Sequence, residues 1–200
     1  MKYIYINNYL YINIMETYYN ESINKPGGVI ISDIIDGKRI VLLGKSNIPN
    51  RKDTYESFGG KMEKTDISSL HTALRELVEE FFNTKVTTEF VNELYDDCKK
   101  GRYILKRYEY YGISYLINID GLNKIFQKVC SINDSLNNYN DIETQYFDYH
   151  KYFRERIIND VPIDGLNEIE SIHIIDLDDI KNNKINIRWY TNKVIGKMLK

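Results

Sequence analysis

Phe58-Gly59-Gly60-Lys61-Met62-Glu63-Lys64-Thr65-Asp66, running on to Ala73-Leu74-Arg75-Glu76-Leu77-Val78-Glu79-Glu80, is the most informative stretch of this 200-residue chain. Leu70, Ala73, Leu74, Leu77, Val78 and Phe81 recur at helical spacing, which predicts a helix over residues 69–83 with one buried face. Asp66 or Ser68 is placed to cap its start. At 100° per residue, Glu76, Glu79 and Glu80 fall within an arc of about 100°, away from the apolar stripe. Three carboxylates on one face repel, and interleaved lysines would relieve them. None is there, and Arg75 is the only adjacent cation. A hard divalent cation, Mg2+ or Mn2+, would neutralise such a cluster through oxygen ligands; the alternative is a solvated acidic face. Gly59-Gly60 allows a sharp turn that brings a backbone carbonyl close to the carboxylates.

Loop and helix together resemble the Nudix hydrolase signature, G-x5-E-x7-R-E-U-x-E-E-x-G-U with U apolar. Gly60 matches the first glycine, and Arg75, Glu76, Leu77, Glu79 and Glu80 match the helix. The departures are specific. Asp66 stands where the signature has glutamate, one extra residue separates it from Arg75, and Phe82 and Asn83 replace the late glycine and the apolar residue after it. The resemblance implies an α/β class fold, an α/β/α sandwich with a mixed sheet. It implies that Glu76, Glu79 and Glu80 hold Mg2+ or Mn2+ with help from the Gly59 carbonyl, and that Arg75 orients a glutamate. It also allows a general base outside the helix. Residues 167–172 resemble the acidic entry to a late strand of that family, so Glu168 is the first candidate, with Glu170 and Glu143 as alternatives.

Outward from this segment, residues 28–35 and 39–43 read as two strands joined by an Asp36-Gly37-Lys38 turn. Residues 44–57 read as a loop, whose Lys45, Arg51 and Lys52, with Lys61 beyond it, are candidates for phosphate contacts. Tyr55, Phe58 and Trp189 are candidates for stacking on a base. Residues 86–95 and 103–119 read as strands joined by a Lys99-Lys100-Gly101 turn, with Gly112 marking a bulge. Helices are expected after Asp120, around His150 and over residues 188–199, and a strand over residues 168–177. Hairpins and helices without regular βαβ alternation favour a mixed sheet with helices on its faces. The reading is one domain over residues 1–200, with an N-terminal hairpin at 1–16 and a helical insertion at about 120–167, longer than a connection needs. His71, His150 and His173 lack ligand spacing and read as structural.

Composition sets the outer limits. Hydrophobic residues at 42% and charged residues at 28% suit an ordinary globular chain, with no apolar run of membrane length. Two cysteines, Cys98 and Cys130, make no disulfide framework, so a reducing cytoplasmic compartment is expected. No membrane association and no obligate protein partner are evident. The 18 tyrosines accompany abundant Ile, Asn and Lys, a bias of AT-rich codons rather than a binding signature. A net charge of -2 argues against general nucleic-acid affinity. The exception is residues 181–200, where Lys181, Lys184, Arg188, Lys193, Lys197 and Lys200 are the only charged residues. That run is either a solvated face or a phosphate-backbone contact. Residues 58–64, residues 167–172 and the basic tail together resemble cellular and large-DNA-virus decapping enzymes, which makes the 5′ cap of mRNA the lead expectation for substrate, with the basic tail and with Lys151, Arg154 and Arg156 flanking the RNA. The alternative is a small nucleotide: a nucleotide sugar, ADP-ribose, a dinucleoside polyphosphate or a diphosphoinositol phosphate. A non-catalytic binding module is a third reading, which the intact carboxylates oppose.

Overall fold

The computed structural model describes residues 25–101, 103–141, 144, 146–163, 165–182 and 184–198. The expected hairpin at 1–16, Glu143 and Lys200 lie outside them. The expected first pair of strands forms β1 (Gly27–Ile35) and β2 (Lys38–Ser46). Asp36 and Gly37 both take positive φ, 50° and 75°, which gives the two-residue turn a twist matching its strands. Four short or late strands join them: β3 (Tyr55–Glu56), β4 (Phe58–Gly60), β5 (Ile104–Glu109) and β6 (Ile113–Ile117); β7 (Ile169–Asp176) completes the sheet.

The pairing is mixed. β1 runs parallel to β6 and antiparallel to β2, and β6 is antiparallel to β5. β1 and β2 stay paired only from their turn as far as Ile31 and Leu42. Beyond that point they part: β4 takes up the start of β1, and β3 takes up the end of β2. The gap between the diverging strands is where the site forms.

Both faces of the sheet are covered. Val29 and Ile31 of β1 and Ile40 and Leu42 of β2 enter one core, together with α1 (Ser69–Glu76), α2 (Thr88–Lys99) and α3 (Ile119–Val129). Ile30, Val41 and Leu43 enter the other, under α5 (Leu177–Lys181) and α6 (Trp189–Met198). Alternate side chains point to opposite faces, so a strand buried on both sides reads as a continuous apolar run. The layers are helix, mixed sheet, helix.

Two expectations need correcting. The strand expected over residues 86–95 is helix α2, begun by Thr87, whose side chain accepts from the Phe90 N–H. β-branched Val86, Thr87 and Val91 suggest a strand, but Phe90, Val91, Leu94, Tyr95 and Cys98 are buried at helical spacing, and that period decides. The long strand expected over residues 103–119 is the β5–β6 hairpin, and Gly112 sits in its turn rather than at a bulge. Within the expected insertion, α3 belongs to the main core through Leu122, Ile125, Phe126 and Val129, and α4 (Tyr149–Glu155) joins it through Tyr152, with Tyr149 and Phe153 packed against it.

Candidate active site

The residues of the Gly-Gly loop and of the acidic helix meet in one place. Helix α1 begins with Ser68, whose hydroxyl accepts from the His71 N–H at 3.2 Å. Asp66 does not cap that end. Its carboxylate turns to the buried side and accepts from Arg75 (3.2 and 3.0 Å), from the Thr72 hydroxyl (3.0 Å) and from the Glu63 N–H (2.9 Å), with His71 Nδ1 at 3.0 Å. Burial alone would raise its pKa, but hydrogen bonds from His71, Arg75 and Glu63 outweigh burial and hold it well below the usual carboxylate range. Arg75, so anchored, reaches Glu79 at 2.9 Å and Glu76 at 3.0 Å.

After Glu76 the helix widens into a π-type turn, Leu77–Phe81, a form common at functional sites. Its last carbonyls find donors on the insertion: Arg156 binds the Glu80 carbonyl and the Tyr152 hydroxyl binds that of Phe81 (2.7 Å). The signature departures have packing reasons. Phe82 joins an aromatic cluster with Phe81, Phe126 and Phe147. Asn83 takes φ +48°, the left-handed conformation a glycine would supply. Asn83 also exchanges two hydrogen bonds with Asn167, at 2.9 and 3.0 Å, which fixes the residue before Glu168. Asn47 holds the same segment from the other side, through the Glu168 and Asn167 carbonyls.

Glu76, Glu79 and Glu80 are not on a solvated face: they are 8%, 4% and 4% exposed. Glu80 accepts from the Gly59 N–H at 2.6 Å. Glu76 lies so close to Gly60 that a β-carbon there would stand 2.2 Å from its carboxylate oxygen, so any other residue would displace that carboxylate. Burial, only partly offset by Arg75 and reinforced by Glu79 and Glu168, pushes Glu76 up to about 7. Burial, then Glu76, Glu56 and Glu168, push Glu80 well above the usual range, and the Gly59 N–H opposes them only weakly. Glu168 is raised by burial and by Glu56, against Arg51 and Arg188.

A cavity of about 630 Å³ opens between the diverging strands, and Gly59, Gly60, Lys61, Glu76, Glu168, Arg51 and Arg188 are on its wall. Lys45, Lys52, Tyr55, Phe58 and Glu170 are not on that wall. Lys45 pairs with Asp53 (3.0 Å) and Glu170 (3.3 Å), and Tyr55 sets its ring edge against His173. The reason is strand alternation: Lys45 and Tyr55 are cross-strand partners on one face, and Gly44 and Glu56 are partners on the other. Thus Glu56, which sequence reasoning passed over, faces the cluster. Buried at 3% exposure, it pairs with Arg188 and, at 3.8 Å, with Arg51. No periodicity marks it, because its strand is two residues long. Arg188 was read as part of the tail; the bridge between Tyr55 and Ile187 draws it into the site.

Among the described residues, no three carboxylate, imidazole or thiol groups converge on one point as a complete cage. Mg2+ seldom uses such a cage: it takes one or two carboxylates and fills the rest with water and substrate phosphate. Glu76 and Glu80, oxygen donors crowded and desolvated beside the Gly59–Gly60 backbone, fit that demand.

No protein-family model matches the sequence, and no curated protein matches it. Several solved structures align with it along most of its length. A Caenorhabditis elegans Ap4A hydrolase in a binary complex is 17% identical, with 88% of this chain and 95% of that one covered and a TM-score of 0.42. The NUDIX domain of Shewanella oneidensis NrtR, complexed with ADP ribose, is 11% identical over 90% of this chain and 89% of that one, at 0.42. A bifunctional NMN adenylyltransferase/ADP ribose pyrophosphatase from Francisella tularensis, complexed with AMP and a Mn ion, is 18% identical over 96% of this chain and 46% of that one, at 0.39.

Proposed function

We propose that this chain is a Nudix-type, metal-dependent pyrophosphohydrolase that cleaves a small nucleoside-diphosphate-linked substrate. One observation carries the reading: Glu76 and Glu80 are buried against the Gly59–Gly60 turn, and Glu76 lines a cavity that also holds Glu168 and the cations Arg51, Lys61 and Arg188. Crowding like charges out of water is costly unless a cation neutralises them. A binding module has no use for that cost, which argues for catalysis.

Glu76 and Glu80, with Glu79 and the Gly59 carbonyl as further candidates, would hold Mg2+ or Mn2+, which would supply charge neutralisation at the pyrophosphate. The chain's own residues do the rest. Arg75, fixed by Asp66, sets the directions of Glu76 and Glu79. Lys61, Arg51 and Arg188 hold phosphate oxygens. Glu168 takes a proton from the attacking water as its oxygen bonds to phosphorus and the bridging P–O bond breaks, leaving two phosphate esters. Glu168→Gln is expected to lower kcat at least about a hundredfold, with Mn2+ affinity unchanged. An unchanged kcat would remove Glu168 from that role.

A small substrate is preferred over capped RNA because four of the tail's cations are engaged within the protein. Lys181 and Lys184 pair with Asp178 and Asp179, Arg188 lies inside the site, and Lys197 binds the Glu109 carbonyl. Arg156, expected along an RNA path, is buried at 6% exposure against the catalytic helix. A cavity of about 630 Å³ lies in the usual small-ligand range of roughly 300–1,000 Å³. Both cysteines are buried and neither is in a disulfide, in keeping with a reducing, cytoplasmic setting. Among the described residues, no helix is long and apolar enough to cross a membrane. The test is side-by-side turnover of ADP-ribose, a dinucleoside polyphosphate, a nucleotide sugar, a diphosphoinositol phosphate and capped RNA with Mg2+. Turnover of a small nucleotide with little release of cap is expected. The reverse pattern would restore the decapping reading.

A further inference from the structure

The same cavity has a second, chemically different wall. Tyr110, Tyr111 and Trp189 line it and are 40%, 76% and 53% exposed. Their rings touch one another: Tyr111 to Trp189 at 5.2 Å, Tyr110 to Trp189 at 6.1 Å and Tyr110 to Tyr111 at 6.4 Å. Three large rings left in water side by side is unusual for a surface with no ligand to cover them. Nor are they on a loose segment. The Tyr110 N–H binds the Gly112 carbonyl, and the Ile113 N–H binds the Pro26 carbonyl, which pins the β5–β6 turn. Lys197 lies over the Tyr110 ring at 5.4 Å. Trp189 opens helix α6 and directly follows Arg188, the residue paired with Glu56 beside the carboxylates.

The wall therefore places flat, exposed, apolar rings one residue from the charged end of the site. We propose that Tyr110, Tyr111 and Trp189 are a stacking platform for a planar ring carried on the pyrophosphate, so that the base of a nucleotide is recognised by its face. This rests on the hydrolase reading only for which bond is cut; ring binding needs neither metal nor turnover. Recognition of a face tolerates purines and pyrimidines alike and favours the larger ring. A substrate without an aromatic ring, such as a diphosphoinositol phosphate, would leave the platform bare.

Trp189 is the only tryptophan in the chain, so its fluorescence reports the platform directly. The full-length protein, without metal, is titrated with ADP, ribose 5-phosphate and inorganic pyrophosphate. Saturable quenching by ADP and none by the two ringless probes is expected. Tyr111→Ala should weaken ADP binding about tenfold or more, and Trp189→Ala should raise KM for a nucleotide substrate with kcat nearly kept. Quenching by the ringless probes to the same extent, or equal ADP affinity in Tyr111→Ala, would overturn the platform. So would loss of a concentration-dependent dimer in Tyr111→Ala with nucleotide binding unchanged, since the rings would then be a contact between copies. The two readings fail separately. ADP quenching in a protein that hydrolyses nothing sinks the hydrolase and keeps the platform; normal turnover with an unchanged KM in Trp189→Ala does the opposite.

Discussion

Glu80→Gln is expected to lower turnover at least about a hundredfold while leaving the fold intact. The size follows from losing charge at a position that stabilises a phosphate-centred transition state. The fold survives because glutamine has the same shape and its amide oxygen can still accept from the Gly59 N–H. Stability should move the other way from activity. The Glu80 carboxyl is raised above its unfolded value by burial and by Glu76, Glu56 and Glu168. Its contribution is therefore fully present below the unfolded pKa, about 4.3 for glutamate, and is lost as pH rises toward the folded value. Without metal at neutral pH, Glu80→Gln should melt at or above the temperature of the wild type, and the advantage should grow as pH rises from about 5. Added Mg2+ should stabilise the wild type and close the gap. A metal-free mutant that melts well below the wild type at neutral pH would contradict this account of the cluster.

Asp66→Asn has the largest expected effect on folding. The buried Asp66 carboxylate is the counter-charge that anchors Arg75, and it also binds His71, Thr72 and the Glu63 N–H. Removing one partner of a buried charge network costs roughly 3–5 kcal/mol, and urea unfolding would read it. The pH dependence has the opposite sign from that of Glu80. The Asp66 pKa is depressed, so its contribution is present above the unfolded pKa, about 3.9, and is lost only as pH falls through the folded value. The difference between wild type and mutant should be constant from about pH 5 to 8 and shrink in strong acid. A loss under about 1 kcal/mol would mean that Glu76, Glu79 and Glu63 hold Arg75 without it.

The contrast between these residues shows what was legible in the sequence. Helical spacing and the Gly-Gly turn marked Gly59, Gly60, Glu76 and Glu80, because local rules fix both the turn and the helix. Glu56 left no signal: its position depends on β1 and β2 parting, which two distant segments, β3 and β4, bring about. Lys45 and Tyr55 were placed one residue out of phase, since no local pattern tells which face of a short strand meets the cavity. Arg188 looks like one cation among six in the sequence; the bridge of Ile187 to Tyr55 and the Arg188 N–H bond to the Tyr55 carbonyl separate it from the others. The strand expected at residues 86–95 fails for a different reason: the buried residues of that segment follow a helical period although its composition is β-branched. Asn83 departs from the signature in type, and its left-handed backbone conformation is a feature that a pattern of residue types does not record.

The central claim is that Glu76 and Glu80 form a divalent-cation site. Titration of Mn2+ into the protein, followed by the loss of the free-ion electron paramagnetic resonance signal, tests it without reference to any substrate. Wild type should bind Mn2+ saturably, and Glu76→Gln/Glu80→Gln should bind it at least tenfold more weakly while giving the same circular dichroism spectrum. Equal Mn2+ affinity in the wild type and in the folded double mutant would contradict the account.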